Sequence, residues 1–517
     1  MIKNFFSGVL DNNNIRVTVT KDNTKELCYC EKTRRVTDEK YILEVSDKKN
    51  VNIICSGEKS EFYALCDVAH RVESETLEEG RFVCSPLFKT RGYIEGFYGT
   101  PWSHDKRKSV MTLMAENRMN TVYYAPKDDD YHRELWRDLY PEADLAKLKE
   151  LVDLAKECYM DFHWCIAPGL SMKYSSEAEF ETLLTKTKQL YSIGIRNFGL
   201  LLDDIDEELA FPEDKAMYGE TVNAHIDLVE KYHNALLEID SCNKLTICPT
   251  LYNGKGDEYY ISKLGQNISP MISLFWTGKD ICSRELLSMD AIKFVESTRH
   301  KPLYWDNYPV NDMAMFNEMH ISPIINRDAD LWKYSEGIIS NAMEYAECSK
   351  IPLMTIADYL WDSENYDADA SWRNAIRQVV GKEDAEKFTV FADHLYTSCL
   401  KDEPSKIMKK HFAEVLRLIK TGDTEKAVEL AEEYIGKMQE TCNYLRQDLP
   451  ICNELERWSE KFFVATEIFE NLIATLKNKT DENVKALYET IDKYDSMPVK
   501  IAEEMNMKLF LSIMFGI

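Results

Sequence analysis

From residue 92 to residue 342 one pattern returns eight times: a short β-branched or aromatic run, a polar or glycine break, then a stretch with helical period. The runs are "GYIEGF" (92–97), "TVYYAPK" (121–127), "DFHWCIAPG" (161–169), "FGLLLDD" (198–204), "LTICPTLY" (245–252), "ISLFWTG" (272–278), "PLYWDN" (302–307) and "GIISNA" (337–342). They lie roughly 27–47 residues apart, the spacing that βα units require. Runs apolar on both faces, alternating with amphipathic helices, belong to a parallel sheet covered on each side. Eight of them predict a closed (β/α)8 barrel.

The intervening stretches support this. "PWSHDKRKSVMTLMAENRM" offers Ser103 as a cap and an apolar stripe through Val110, Leu113 and Met114. "DLAKLKELVDLAKECYM" sets Leu145, Leu148, Val152, Ala155 and Met160 near one face. Before the barrel, "IRVTVT", "KYILEV", "VNIICSG" and a helical "SEFYALCDVAHRV" predict a small α/β domain over 1–88. The barrel is expected over 89–368. From 369 to 517 nearly everything has a helical period, as in "MKKHFAEVLRLIKTGDTEKAVELAEEYIGKM", and predicts a helical bundle.

Composition narrows the partners. The 517 residues carry 63 basic and 89 acidic side chains, a net charge of −26, which repels phosphate backbones and anionic membranes. No nucleic-acid or membrane partner is expected. The fourteen cysteines contain no CxxC pair, and the apolar run at the start is too short for a leader or a span. They read as reduced thiols of a cytoplasmic protein.

Barrel chemistry sits at the C-terminal strand ends. Those ends read Glu95 and Gly96, Lys127, Asp203 and Asp204, Tyr252, Trp276, Trp305 with Asn307, and Asn341. Two adjacent carboxylates ending an apolar strand need water or a ligand to meet them. No HExxH, GxSxG, Walker loop or GxGxxG is present, and the ten histidines are scattered. Two chemistries remain for the pair. Clustered carboxylates suit Mg²⁺ or Ca²⁺. Alternatively they do acid–base work on a glycoside, between Trp and Tyr platforms that stack on sugar rings. The aromatic and amide surroundings favour a carbohydrate, with no cofactor and no metal.

Adjacency constrains such a mechanism. A two-carboxylate retaining glycosidase holds its acids about 5–5.5 Å apart on opposite sides of the anomeric carbon. Neighbouring residues approach from one segment, so one would protonate the leaving oxygen while the other orients a substrate group. A 2-acetamido oxygen of the substrate could then serve as nucleophile, with an effective molarity worth up to roughly 7–11 kcal/mol.

Six motifs in order, "EGFYGTPW", "YYAPKDD", "LLLDDID", "CPTLYNG", "WDNYPVND" and "IISNAME", resemble glycoside hydrolase family 84, the O-GlcNAcases and bacterial exo-β-N-acetylglucosaminidases. The resemblance spans roughly 90–365 and implies a retaining exo-β-N-acetylglucosaminidase acting on terminal β-linked GlcNAc glycoconjugates through an oxazoline. It implies that Asp203 orients the acetamido N–H and that Asp204 is the general acid, then base. Tyr252 would hydrogen-bond near the reacting centre. Gly96 through its backbone, Lys127, Asn307, Asp312 and Asn341 would hold the acetamido group and hydroxyls, and Trp305 would wall the acetamido methyl.

Bland readings stand beside these. Lys127 precedes the aspartates 128–130 and could make a surface ion pair, and Asp312 could cap a helix. Glu95 and Tyr98 read as groups holding the barrel floor, Trp276 as rim or packing, and His132 and His163 as structural. Leu251 stands where many relatives carry an acid. Two other functions compete: a non-catalytic GlcNAc-binding barrel, which has no use for Asp204 as proton donor, and the neighbouring β-hexosaminidase family, which uses an Asp–Glu pair.

Overall fold

A computed structural model of the chain describes residues 2–127, 129–401 and 405–501; Asp128 and the end of the expected third domain, 502–517, lie outside the described residues. The chain divides into two compact units. The first comprises Met1–Asn307, Asn326–Ala342 and Ile356–Tyr366, and the second Tyr308–Ile325, Met343–Thr355 and Asp367–Ile517.

The first unit contains a closed barrel of eight parallel strands in sequential order. They are Thr90–Glu95, Thr121–Tyr124, Asp161–Ile166, Asn197–Leu201, Lys244–Cys248, Ser273–Trp276, Pro302–Asp306 and Gly337–Asn341. The last strand closes on the first through the register Gly337↔Thr90 to Asn341↔Ile94. Each strand overlaps an expected run, and three of them, Thr90–Glu95, Asn197–Leu201 and Lys244–Cys248, begin one or two residues before it; β-branched and aromatic side chains pack well on both covered faces.

Strand parity fills the barrel. Ile94, Tyr123, Cys165, Leu201, Cys248, Phe275, Leu303, Trp305 and Ile339 form one buried cluster, with Tyr252 packed against it. The alternate residues face the helices, which decides Trp276: it stacks on Phe294 of helix Ser288–Thr298 at 4.8 Å and is a packing residue. The helix after the first strand, His104–Glu116, is capped by Ser103, whose side chain accepts from the Lys106 amide, and it buries Val110, Met111 and Met114. Leu113 is half-buried. Helix Glu142–Glu157 buries Leu148, Leu151, Val152 and Ala155; Met160 lies beyond its end.

The N-terminal strands Arg16–Lys21, Asn50–Cys55, Tyr41–Ser46 and Gly80–Cys84 form a mixed four-stranded sheet within the same unit. Glu39, just before one of these strands, pairs with the fully buried Arg91 of the first barrel strand through two 3.0 Å hydrogen bonds. Burial alone would raise the Glu39 carboxyl; Arg91 and then Lys59 overcome this and hold it at about 2.

The second unit is helical. Its long helices Lys406–Lys420, Thr424–Leu445, Glu456–Lys477 and Asp481–Asp495 have amphipathic stripes that meet through aromatic rings, as in Phe412 on Phe469 at 4.7 Å. The Asp393 carboxylate accepts from the amides of Lys406, Ile407 and Met408, satisfying the orphan donors of a helix start. No helix among the described residues is long and apolar enough to cross a membrane.

Candidate active site

The residues past the C-terminal strand ends gather into two clusters. The first is charged. The fourth strand ends at Leu201, and Leu202 continues its pairing, its amide N–H donating a hydrogen bond to the Cys248 carbonyl. Asp203 and Asp204 follow, and Asp204 adopts a left-handed conformation, φ +52°. For a non-glycine residue that conformation is uncommon and concentrates at functional sites.

Lys127, just past the second strand, reaches across. Its ammonium lies 3.1 Å from Asp203 Oδ2 and 3.6 Å from Asp204 Oδ2. The Lys127 and Asp203 side chains are only 5% and 7% exposed, while Asp204 keeps 30%. The surface ion-pair reading of Lys127 therefore fails. Burial by itself would lower the Lys127 pKa, but Asp203, then Tyr98 and Asp204, raise it above the ordinary lysine value. A hard cation between the carboxylates would have to displace this ammonium.

Satisfaction of the two carboxylates differs. Asp204 Oδ2 accepts a 2.6 Å hydrogen bond from the Tyr98 hydroxyl, and Tyr252 lies 3.5 Å from Oδ1. Arg133 Nη1 donates to the Tyr98 oxygen at 3.2 Å. Asp203 Oδ2 accepts from Lys127, but Asp203 Oδ1 is buried and accepts no hydrogen bond from the described residues. Buried polar atoms are nearly always paired, so one left open beside a solvent-reached neighbour is an acceptor waiting for a donor.

The second cluster is neutral. The Gly96 amide donates to Asn341 Oδ1 at 3.2 Å, and Asn341 Nδ2 donates to Asn307 Oδ1 at 3.0 Å. Trp305 Nε1 donates to the same Asn307 oxygen at 3.0 Å, and Asn307 Nδ2 donates to the Ile281 carbonyl at 2.9 Å. A backbone amide and an indole can only donate, so both ends of the chain fix which way each side-chain amide faces. Gly96 is required here. A Cβ would stand 2.7 Å from Trp305 Cζ2 and 3.2 Å from Asn341 Oδ1.

Asp312 belongs to the second unit, where it precedes the short helical turn Met313–Met315. Its side chain makes no capping bond to that turn. Glu95 is fully enclosed. Arg107 clasps both its oxygens at 2.7 and 2.8 Å and the Trp102 amide donates to it at 3.1 Å, so it shapes the loop 96–103. His163 is buried, stacked on Tyr123 at 4.1 Å. His132 is buried with Nδ1 on the Cys165 carbonyl.

Sequence reasoning misplaced Tyr98, which touches Asp204 rather than the barrel floor. It missed Arg133 and the Ile281 carbonyl altogether. Tyr98 had a signal, its place in "EGFYG" one turn past a strand end; Arg133 sits in a loop with none.

A protein-family model described as beta-N-acetylglucosaminidase matches residues 91–393, more than half of the chain. The chain is 29% identical over 316 residues to the protein named Protein O-GlcNAcase of Rattus norvegicus and to that of Mus musculus. That match takes in 60% of this chain but 32% of each relative, so the chain spans about a third of the length of these curated relatives. Among solved structures, a variant of the Thermobaculum terrenum O-GlcNAc hydrolase is 31% identical, with a TM-score of 0.77 over 83% of this chain and 95% of that one. The structure titled CpGH84B is 26% identical, with a TM-score of 0.78 over 92% and 86% of the two chains. The chain belongs to the beta-N-acetylglucosaminidase family, the glycoside hydrolases of family 84.

Proposed function

We propose that this protein removes terminal β-linked N-acetylglucosamine from glycoconjugates with retention, using the substrate's own acetamido oxygen as nucleophile. The observation that carries this reading is the open, buried Asp203 Oδ1 beside a second carboxylate that solvent reaches. An acetamido N–H supplies the missing donor. As its carbonyl oxygen attacks C1, positive charge grows on the amide, and the Asp203 carboxylate stabilises it from a fixed position.

Asp204 protonates the departing glycosidic oxygen as the C1–O bond breaks, leaving a free alcohol and an N-protonated oxazoline whose N–H stays paired with the Asp203 carboxylate. In the second half Asp204 takes a proton from water as that water attacks C1 and the acetamido group re-forms. Lys127 holds both carboxylates in place, and Tyr252 is aimed at the same centre. Gly96, Asn307 and Asn341 offer the sugar pre-oriented amides, and Trp305 an indole face. Asp312 keeps the hydroxyl-binding role that the family resemblance gives it, which Asp312→Ala tests as a rise in KM.

The relatives named Protein O-GlcNAcase make a glycosylated protein the first natural substrate to try. The test is turnover of an aryl β-N-acetylglucosaminide with the first-formed sugar followed by NMR. The β anomer appearing first supports the proposal. The α anomer overturns retention, and no hydrolysis of gluco- or galacto-configured substrates leaves a sugar-binding barrel instead.

A further inference from the structure

The loop that follows the second barrel strand delivers two cations to the catalytic pair, Lys127 directly and Arg133 through Tyr98. An arginine only donates, so the Tyr98 oxygen must accept from Arg133 and aim its own hydrogen at Asp204 Oδ2. The cationic face is closed further by Lys127, whose ammonium stands 5.2 Å from the Tyr98 ring centre, with the Arg133 guanidinium at 5.9 Å.

That loop is itself held from behind. Lys186, on helix Glu177–Ser192, is completely buried, and its ammonium donates to the carbonyls of Tyr131, Leu135 and Trp136, which bracket Arg133. Around it, Asp129 accepts from the hydroxyls of Tyr124 and Tyr140 at 3.0 and 2.7 Å, and Arg137 clasps Glu179. A lysine buried among three carbonyls is an expensive way to fix a surface loop, and burial lowers its pKa to about 8. Rigidity at the far end of the loop gives that cost a purpose.

We propose that Arg133, backed by Lys186, is a positioning residue that locks Tyr98 as a donor to Asp204 Oδ2 and so assigns the proton exchange to Asp204 Oδ1. This rests on the proposed acid–base role of Asp204. With Oδ2 engaged as an acceptor, the transferable proton resides on Oδ1, the oxygen near Tyr252. Protonation then comes from one fixed side of the leaving group. Freed from Tyr98, the carboxyl group rotates and presents its proton in the productive direction only part of the time.

The experiment measures kcat/KM for Arg133→Met, Arg133→Lys and Tyr98→Phe on aryl and alkyl β-N-acetylglucosaminides whose leaving groups run from 4-nitrophenol to methanol. Binding of a thiazoline mimic of the cyclic intermediate is measured in parallel. Arg133→Met should lose about tenfold or more on methanol and less than about twofold on 4-nitrophenol, because a general acid matters only where the leaving oxygen needs its proton. Arg133→Lys should recover part of the loss, and combining Arg133→Met with Tyr98→Phe should add little to either alone. Lys186→Met should show the same leaving-group pattern more weakly. Should Lys186→Met not fold, the Arg133 variants carry the test.

A uniform loss across leaving groups, accompanied by weaker thiazoline binding, would show that Arg133 only holds the loop together and would overturn the proposal. So would unchanged rates in Arg133→Met. A wild type inactive on the whole series would instead sink the reading of the site as a glycosidase, a separate outcome.

Discussion

The two halves of the mouth differ in kind. On one side Lys127, Asp203, Asp204 and Tyr98 form a charged set in which one buried acceptor is left open and one backbone residue sits in a left-handed conformation. On the other, Gly96, Asn341, Asn307 and Trp305 form a neutral chain in which each donor named has an acceptor. The neutral half is built to present a fixed shape at little internal cost. On the proposed mechanism the charged half changes during turnover, its carboxylates passing a proton and meeting a growing charge. Rate should therefore reside in the first half and recognition in the second.

The largest expected effect breaks the charged half. Asp204→Asn should cost about 10²–10⁴-fold in kcat on substrates with poor leaving groups. It should cost far less on activated aryl glycosides, as leaving-group series under single-turnover conditions will show. Lys127→Met comes next. It leaves a buried carboxylate unpaired, a change that costs about 3–5 kcal/mol when a buried ion pair loses one partner. Urea unfolding should show the loss, and equal stability of variant and wild type would mean that Asp203 is not committed to Lys127.

Disturbing the neutral half should read out differently. Asn341→Ala strips the Gly96 amide of its acceptor, with an expected cost of about 1–3 kcal/mol. It should appear as a higher KM and weaker binding of the sugar product, with kcat changed little by comparison. Gly96→Ala should do the same by pushing Trp305 aside. A kcat effect larger than the KM effect in either variant would blur the division between the halves.

Much of this was legible in the chain. Eight β-branched runs at barrel spacing set the fold, and the strand ends named Lys127, Asp203, Asp204, Asn307 and Asn341, because strand parity and chain direction place them at one mouth. Satisfaction of those groups was not legible. That Asp203 Oδ1 is open, or that Tyr98 points at Asp204, depends on distances across strands more than 75 residues apart in sequence. Asp312 shows the same limit from the other side, since a motif position alone did not indicate that it belongs to the second unit.

A further expected effect concerns pH and rests on two buried histidines of the first unit. Burial lowers His163 to about 3 and His132 to about 4 from an ordinary 6.5. The unfolded chain therefore binds protons on both near pH 6.5, while the folded chain stays neutral there until much lower pH. Stability from these sites is present above 6.5 and is lost as pH falls from 6.5 towards 3–4, each site contributing a slope of up to about 1.36 kcal/mol per pH unit. His163→Phe should flatten the loss in urea midpoint between pH 7 and pH 5. A slope identical to wild type would place the acid sensitivity elsewhere.

The central claim is that Asp203 serves the substrate's acetamide, and that no carboxylate of the protein attacks C1. Replacing the acetyl hydrogens of an aryl substrate by fluorine, one at a time, withdraws electron density from the nucleophilic oxygen with little change in bulk. The wild-type kcat/KM should fall steeply and monotonically with fluorine number, and Asp203→Asn should be slow already on the unfluorinated substrate and bind the thiazoline mimic much more weakly. A rate indifferent to fluorine, or a sugar trapped covalently on an enzyme carboxylate, would contradict the account.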